Sequence, residues 1–375
     1  MKFLKTDLPK RIDVNLSRAI KTDNVSGFMT FGAKNDYPEI IERLIINSQT
    51  ASAAVRVFAS FIGGSGFESE IGKIKVGRDI RGKQYDLDTL KNWIAKSLAW
   101  NNGVYNHVNM NAKGQTGDVS ILPFKECRFS KKDDNGYCAK VLRCSDFDNK
   151  KSSKTWFPIF NPSAVEKNME DSAKRKETFR GQVYHSFIDD SYLYPLSPFD
   201  CVYLDMDTEH QIQIFKNNEI RNGFTDKIIM NISDSVSDDE RDEKIEEIKK
   251  FQGANGSKLI VFETQFDENG ELLKKGSFQV EKISNNIDDK LFENWEVSLA
   301  NSIRKAAQNM PAILIDYQQG TLSAASGEAI SEAFNVYNVY TKSYRDKLEE
   351  IIQDLFENNE KFKGIINWKI KPVQL

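Results

Sequence analysis

The chain is short of the residues that build active sites. Four cysteines occur in 375 residues, Cys127, Cys138, Cys144 and Cys201, and no two of them form a C-x-x-C pair. The spacing therefore offers no zinc site, and reduced, partly buried thiols are expected. Histidine is rarer still: His107, His185 and His210 stand apart from one another and from any H-E-x-x-H or H-x-E pattern. Long apolar runs are missing too, since nothing approaches the roughly 18 consecutive apolar residues that a membrane helix needs. The opening stretch "MKFLKTDLPKRIDV" is charged throughout and has no apolar core of the signal-peptide kind, so a cytoplasmic product is expected. Neither sign of charge dominates. With 52 basic and 55 acidic residues the net charge is −3, which argues against wholesale binding of nucleic acid by a basic surface and leaves room only for local patches.

Catalytic motifs are equally scarce. "FIGGSGFESE" at 61–70 is glycine-rich but lacks the G-K-[ST] ending that sets a lysine on phosphates. It reads instead as a helix end at Gly63 and Gly64 followed by a turn. There is no G-x-S-x-G elbow, no S-x-x-K and no kinase signature set. Asp189 with Asp190, and Asp238 with Asp239, are sequence neighbours, which diverge on a helix and fit solvated turns. Asp205, Asp207 and Glu209 in "DMDTE" have the residue types of a two-metal site, yet i and i+2 positions on a helix face different sides. The expectation is a non-enzymatic protein with no catalytic residues, no metal and no cofactor.

What is present is helix. A length of 375 residues allows two or three domains, and 39% hydrophobic with 29% charged residues suits a globular chain. Residues 36–62 begin with Asp36 near the N-cap and Pro38 in the first turn, and carry apolar residues at helical spacing around a small-residue middle of Ala51, Ser52, Ala53 and Ala54. One long, closely packing helix is expected there, and a second over 86–102. Strands follow in "VYNHVNM", "VSILPF" and "YCAKVLRC", then a polar stretch over 150–180 that reads as a surface excursion.

From residue 197 long helices alternate with one β-containing insert. Ser197, Pro198 and Asp200 read as N-cap, first helical position and capping box, with Asn222 and Gly223 closing the helix. "DKIIMNI" reads as a strand, "SDDERDEKIEEIKKFQG" as a helix capped by Ser237 and Glu240, and "SKLIVFETQ" as the returning strand. Residues 284–310 place Ile287, Leu291, Trp295, Leu299, Ile303 and Ala307 on one stripe ended by Pro311. After "QQGTLSAAS", with Ser326 as N-cap, a last helix keeps Ile330, Phe334, Tyr337, Tyr340, Tyr344, Leu348, Ile351 and Leu355 in register, and about thirty residues make a rod of roughly 45 Å.

The ordered series "NNEIRNGF", "KIIMNI", "SDDERDEKIEEIKKFQGANGSK", "LIVFET", "DDKLFENWEVSLANSIRKAAQNMPAILI" and "GTLSAASGEAISEAFNVY" resembles the portal proteins of tailed bacteriophages. The likeness is to the HK97-like class, in particular phages and prophages of Bacteroidetes-type hosts, and is best over residues 190–356. "YPEIIERLIINSQTASAAVRVFASFIGGSGF" fits the family's N-terminal helix more loosely, and 103–185 matches nothing in it.

The resemblance implies an α+β portal fold. It assigns residues 1–190 to a wing with helices over 38–62 and 86–102 and strands over 103–145, 197–224 and 284–310 to a two-helix stem, and 225–283 to a β-α-β clip inserted between the stem helices. Residues 311–326 become a tunnel loop, and 327–375 a long C-terminal crown helix with a final strand. Such subunits form a homo-oligomeric ring of about twelve at one capsid vertex, passing double-stranded DNA and meeting major capsid protein, terminase and a head–tail adaptor. They reside in the virion, with assembly in the host cytoplasm and no membrane.

On this assignment Gln318, Gln319, Gly320, Thr321, Ser323 and Ser326 present short uncharged groups to sliding DNA, which avoids the strong charge-assisted bonds to phosphate. Asp238, Asp239, Glu240, Glu243, Lys249, Lys250 and Lys258 become clip contacts between subunits or with partners. Two other readings remain open from the residues: another oligomeric head or tail adaptor, and a metal-dependent hydrolase or nuclease using Asp205, Asp207 and Glu209.

Overall fold

A computed structural model of the chain describes residues 16–149, 151–174, 178–221, 227–233, 259–264, 281–283, 289–316 and 327–374. They fall into two compact units, one holding Leu16–Met206 with Ala300–Leu375 and the other Asp207–Leu299. Helices and strands make up both, the strands of the larger unit pairing antiparallel for the most part, an α+β composition as expected.

The larger unit opens with a short hairpin, β1 (Thr22–Asp23) and β2 (Phe28–Met29). The single helix expected over 36–62 is two, α1 (Tyr37–Asn47) and α2 (Gln49–Gly63). Ser48 breaks it: the residue is extended, its N–H ends α1 on Leu44 O, and its side chain accepts from Ala51 N to start α2. A buried serine that bonds its own backbone competes with helix propagation. Beyond α2, Gly64 has φ +61 and a Cβ there would stand 2.2 Å from Lys371 O, so the expected glycine end is real and has a packing reason.

Next come β3 (Gly66–Phe67), the hairpin β4 (Lys75–Arg78) and β5 (Gln84–Asp86), and α3 (Leu87–Asn101). The helix matches expectation: Asp86 caps it by accepting from Thr89 N at 3.1 Å, and left-handed Asn102 ends it. Strands β6 (Gly103–Met110), β7 (Thr116–Leu122), β8 (Cys127–Phe129), β9 (Lys140–Cys144) and β10 (Lys154–Pro158) follow, then α4 (Val165–Lys174) and β11 (Gln182–Phe187). They form two three-stranded sheets, β11-β6-β7 and β10-β9-β8, with α3 packed against the first. Residues 150–180 are thus not wholly a surface excursion. β10 pairs β9 from Lys154↔Cys144 to Pro158↔Lys140, and Phe157 and Val165 are buried. Their apolar signal is diluted in the sequence by lysines, serines and asparagines on either side.

In the second unit, α5 (Tyr203–Arg221), which starts in the larger unit, leads to β12 (Lys227–Ser233), β13 (Leu259–Thr264), β14 (Glu281–Ile283) and α6 (Asp289–Ala306). β12 and β13 run parallel, from Ile228↔Leu259 to Ser233↔Thr264. Parallel neighbours need a crossover of a dozen or more residues, usually helical. The helix expected between them, with Ser237, Glu240 and its end at Gly253, lies outside the described residues, as do Asn222 and Gly223. The antiparallel strand β14 was not expected, three residues being too few to show alternation. It pairs Lys227↔Ile283, so the insert leaves beside the place it entered.

The rest of the larger unit is α7 (Gly327–Tyr340), α8 (Lys342–Phe356) and β15 (Ile370–Lys371). The expected rod is broken at Thr341, whose buried hydroxyl donates to Tyr337 O at 2.8 Å, the back-bonding that bends helices. Tyr340, the last residue of α7, is exposed, whereas Tyr337, Tyr344, Leu348, Ile351 and Leu355 are buried. α8 packs on α2 and α3, with Arg345 donating to Phe61 O at 2.9 Å and to Asn338 O at 3.0 Å. β15 then pairs with β3 through Ile370↔Phe67. Arg128, fully buried, is held by Asn35, Lys125 O and Cys127 O and lies 4.7 Å from the Phe147 ring centroid. All four cysteines are free, and burial pushes the Cys127 thiol up to about 12.

Candidate functional site: the helix pair and its strand insert

The segment that enters α5 is fixed by polar contacts at its first turn. Pro198–Val202 forms a 3-10 turn, with Ser197 Oγ accepting from Phe199 N at 3.3 Å and donating to Trp100 O at 2.6 Å. Ser197 caps as expected, but the capping box with Asp200 does not form. Ser197 N donates instead to the Tyr37 hydroxyl at 3.0 Å, and the Asp200 carboxylate accepts from Tyr37 at 2.9 Å and Arg18 Nε at 2.8 Å. A tyrosine from α1 takes the position that the carboxylate fills in a capping box, and leaves that carboxylate for an ion pair. Neither Arg18 nor Tyr37 was legible as part of this root, because both lie more than 150 residues away in sequence.

Within the second unit α5 and α6 are joined by an ion pair, Lys216 Nζ to Glu296 Oε1 at 2.6 Å. Both side chains are nearly half exposed, so the pair adds little stability, but it fixes which turns of the two helices face each other. Among the described residues of the apolar stripe expected along 284–310, Ile303 and Ala307 at its end are buried, and nothing is described of the Leu291 side chain. Trp295 is 49% and Val297 57% exposed, Leu299 is half-buried, and Ile287 lies outside the described residues.

The helix also stops earlier than Pro311 requires. α6 ends at Ala306, and Gln308 and Asn309 take left-handed φ values of 59 and 52 before the proline. Its end is anchored in the larger unit by Tyr337, which donates to Ala307 O at 2.8 Å, and by the ion pair of Arg304 with Asp316. A short 3-10 turn, Ala312–Leu314, begins the connection toward α7.

The residues expected to face DNA, Gln318, Gln319, Gly320, Thr321, Ser323 and Ser326, lie outside the described residues. So do the expected insert contacts Asp238, Asp239, Glu240, Glu243, Lys249, Lys250 and Lys258. Both sets are flanked by described elements: the helix-end contacts at 304–316 and α7 for the first, β12 and β13 for the second.

Asp205, Asp207 and Glu209 sit on the one helix α5, where burial raises the Asp205 carboxyl above its ordinary range. Among the described residues no three histidine, cysteine or acidic side chains converge as a metal site, and no helix is long and apolar enough to cross a membrane.

No protein-family model and no curated protein matches the sequence. Solved structures do resemble it. The chain is similar to one from the neck of an empty gene transfer agent (GTA) particle, at 12% identity and a TM-score of 0.51, over 86% of this chain and 82% of that one. A chain from the neck of a native GTA particle covers 82% of this chain and 81% of its own, at 13% identity and a TM-score of 0.48. An HK97-family phage portal protein from Corynebacterium diphtheriae shares 10% identity over 79% of this chain and 85% of its own, with a TM-score of 0.39. The first likeness establishes a shared fold, and the two lower scores carry no further weight. The resemblance to tailed-phage portal proteins in the order of the sequence segments agrees with that particle-neck fold.

Proposed function

We propose that this chain is a portal subunit: a structural protein, not an enzyme, that forms a homo-oligomeric ring of about twelve at one vertex of a phage-type particle, through which double-stranded DNA enters and leaves. The observation that carries the reading is the likeness to a particle-neck chain over 86% of this chain, together with a sequence order that resembles portals. In this reading α5 and α6 are the stem, the insert between them is the clip, and residues 311–326 are the tunnel loop. Residues up to about 190 form the wing and 327–375 the crown region. The half-exposed Trp295 and exposed Val297 on α6 suit a helix that is covered by neighbouring copies in a ring. Major capsid protein, terminase and a head–tail adaptor are the partners, in the virion and during assembly in the host cytoplasm.

Negative-stain imaging of the purified chain, with its particle mass, tests this. A ring of about twelve with a central hole is the expected result. A monomer, or a monomer with metal-dependent hydrolase activity, overturns it. The likeness to a neck chain also suits a head–tail adaptor. Co-expression with major capsid protein separates the two, because a portal enters the empty shell as it assembles and an adaptor does not.

A further inference from the structure

A groove in the larger unit is built from the side of α3, the β4–β5 hairpin and the end of β7, with a volume of about 790 Å³. That lies within the range of ligand-binding clefts. We propose that it docks a peptide segment of a partner protein in which an aromatic side chain is flanked by carboxylates. The inference is independent of the portal reading.

The apolar part is preformed. Trp93 and Trp100 are seven residues apart on α3 and so lie on one face, two turns from each other, and both line the groove half-buried. The Tyr85 ring meets Trp93 edge-on at a centroid distance of 4.7 Å, and its hydroxyl donates to Val119 O, so the wall holding Trp93 is itself fastened. Buried Phe124 and Leu122 line the groove as well. At the hairpin tip Ile80 lines it with its side chain wholly in solvent, an apolar contact left unused within the chain. An incoming aromatic ring between such walls gains both burial and edge-to-face geometry.

The rim selects charge. Arg81 pairs with Asp79 at 2.8 Å, Lys125 with Glu42 at 2.8 Å, and Arg143 with Glu126 at 2.9 Å. Those cations are answered internally. Arg78 on the hairpin and Lys96 on α3 have no carboxylate partner among the described residues, and Lys96 Nζ lies 5.7 Å from the Trp100 ring centroid, between the two tryptophans in sequence. The groove thus offers two uncompensated cations beside an aromatic floor. A polyphosphate chain suits it less well, because Asp79 and Glu42 on the same rim would repel a charge repeated at every step, whereas a peptide places its acids discretely.

The test uses the full-length chain and a fluorescein-labelled ten-residue peptide with one phenylalanine among aspartates and glutamates, read by anisotropy. Saturable binding is expected, weakened at least about tenfold by Arg78→Glu with Lys96→Glu, both on exposed residues that leave the fold intact. Ile80→Asp, at a fully exposed position, should weaken it as well. The same peptide with glutamines for its acids, or alanine for its phenylalanine, should bind less tightly. Absence of binding, or equal binding by the charge-reversed variant, overturns the proposal. So does a ten-nucleotide oligothymidine that binds more tightly than the peptide and is lost in the same variant, which would make the groove a nucleic-acid site.

Discussion

The Tyr37 hydroxyl donates to the Asp200 carboxylate at 2.9 Å, joining residues 163 positions apart, and the same oxygen accepts the Ser197 N–H. Burial and then the Asp200 charge raise the hydroxyl's pKa far above its ordinary value, so it keeps its proton and remains a donor. Tyr37→Phe would leave the Ser197 N–H without this acceptor and Asp200 with Arg18 alone. A loss of about 1–3 kcal/mol is expected, the cost of leaving buried polar groups unsatisfied. It is read as a lower urea midpoint, with faster amide exchange at residues 197–204. An unchanged midpoint would show that α5 is rooted by other contacts.

Ala54 is fully buried on α2, whose neighbours are α1, α3 and α8, whereas Ala53 beside it is only half-buried. Ala54→Leu should therefore overpack the helix layer and cost about 1–3 kcal/mol, and Ala53→Leu less. Thermal melts of the two variants separate them, and wild-type stability in Ala54→Leu would mean that the layer yields.

Burial lowers the pKa of both His107 and His185, with the Arg180 carbonyl opposing it for the first and Asp190 for the second. The folded state therefore takes up protons less readily than the unfolded chain, whose histidines titrate near 6.5. Stability from this source is complete above about pH 6.5 and falls as the pH drops through that value. Asp23 and Asp86, whose pKa values are lowered, lose their contribution only at more acidic pH, through and below the ordinary carboxylate range. A lower unfolding midpoint at pH 5 than at pH 7 is expected, with a shallower slope in His107→Gln combined with His185→Gln. A flat wild-type profile between those two pH values would contradict it.

The elements read best from the sequence are those whose start and end are set by local chemistry. α3 lies between Asp86 and Asn102, and α2 ends at Gly64. β12 and β13 were legible as two β-rich runs, whereas their parallel pairing is a finding of the structure. The breaks at Ser48 and Thr341 were not, since serine and threonine are tolerated within helices and only the tertiary partner decides whether the side chain bonds its own backbone. The same holds for Asp200: its local spacing fits a capping box, and a tyrosine and an arginine distant in sequence redirect it. The groove beside α3 leaves no mark in the sequence, because Arg78, Trp93 and Phe124 become neighbours only once the hairpin and sheet are assembled.

On the portal reading, the residues between β12 and β13 bring charge to the contacts between subunits. Residues 238–247 hold seven acids against Arg241 and Lys244, and Lys249, Lys250 and Lys258 follow closely. Pairs between copies are screened over roughly 8–10 Å at physiological ionic strength, so ring assembly should depend on salt and pH. Light scattering across a salt series measures it, and an oligomer unchanged from low to high salt would remove these residues from the interface.

The same reading makes a sharper demand on residues 316–326. If they line a channel only just wide enough for duplex DNA, replacing Gln318, Gln319 and Thr321 by lysine sets three positive charges per subunit against the phosphates, repeated around the ring. Each contact is modest in salt, but the ring acts together through counterion release. Ring assembly should survive, because short polar residues of this kind contribute little to a core. Packaging or ejection should stall, because DNA is held where it must slide. Alanine at the same three positions removes polar groups without adding charge and should do much less. DNA content of particles carrying each variant decides the matter: if the lysine variant fills normally, these residues do not face DNA and the tunnel loop lies elsewhere in the chain.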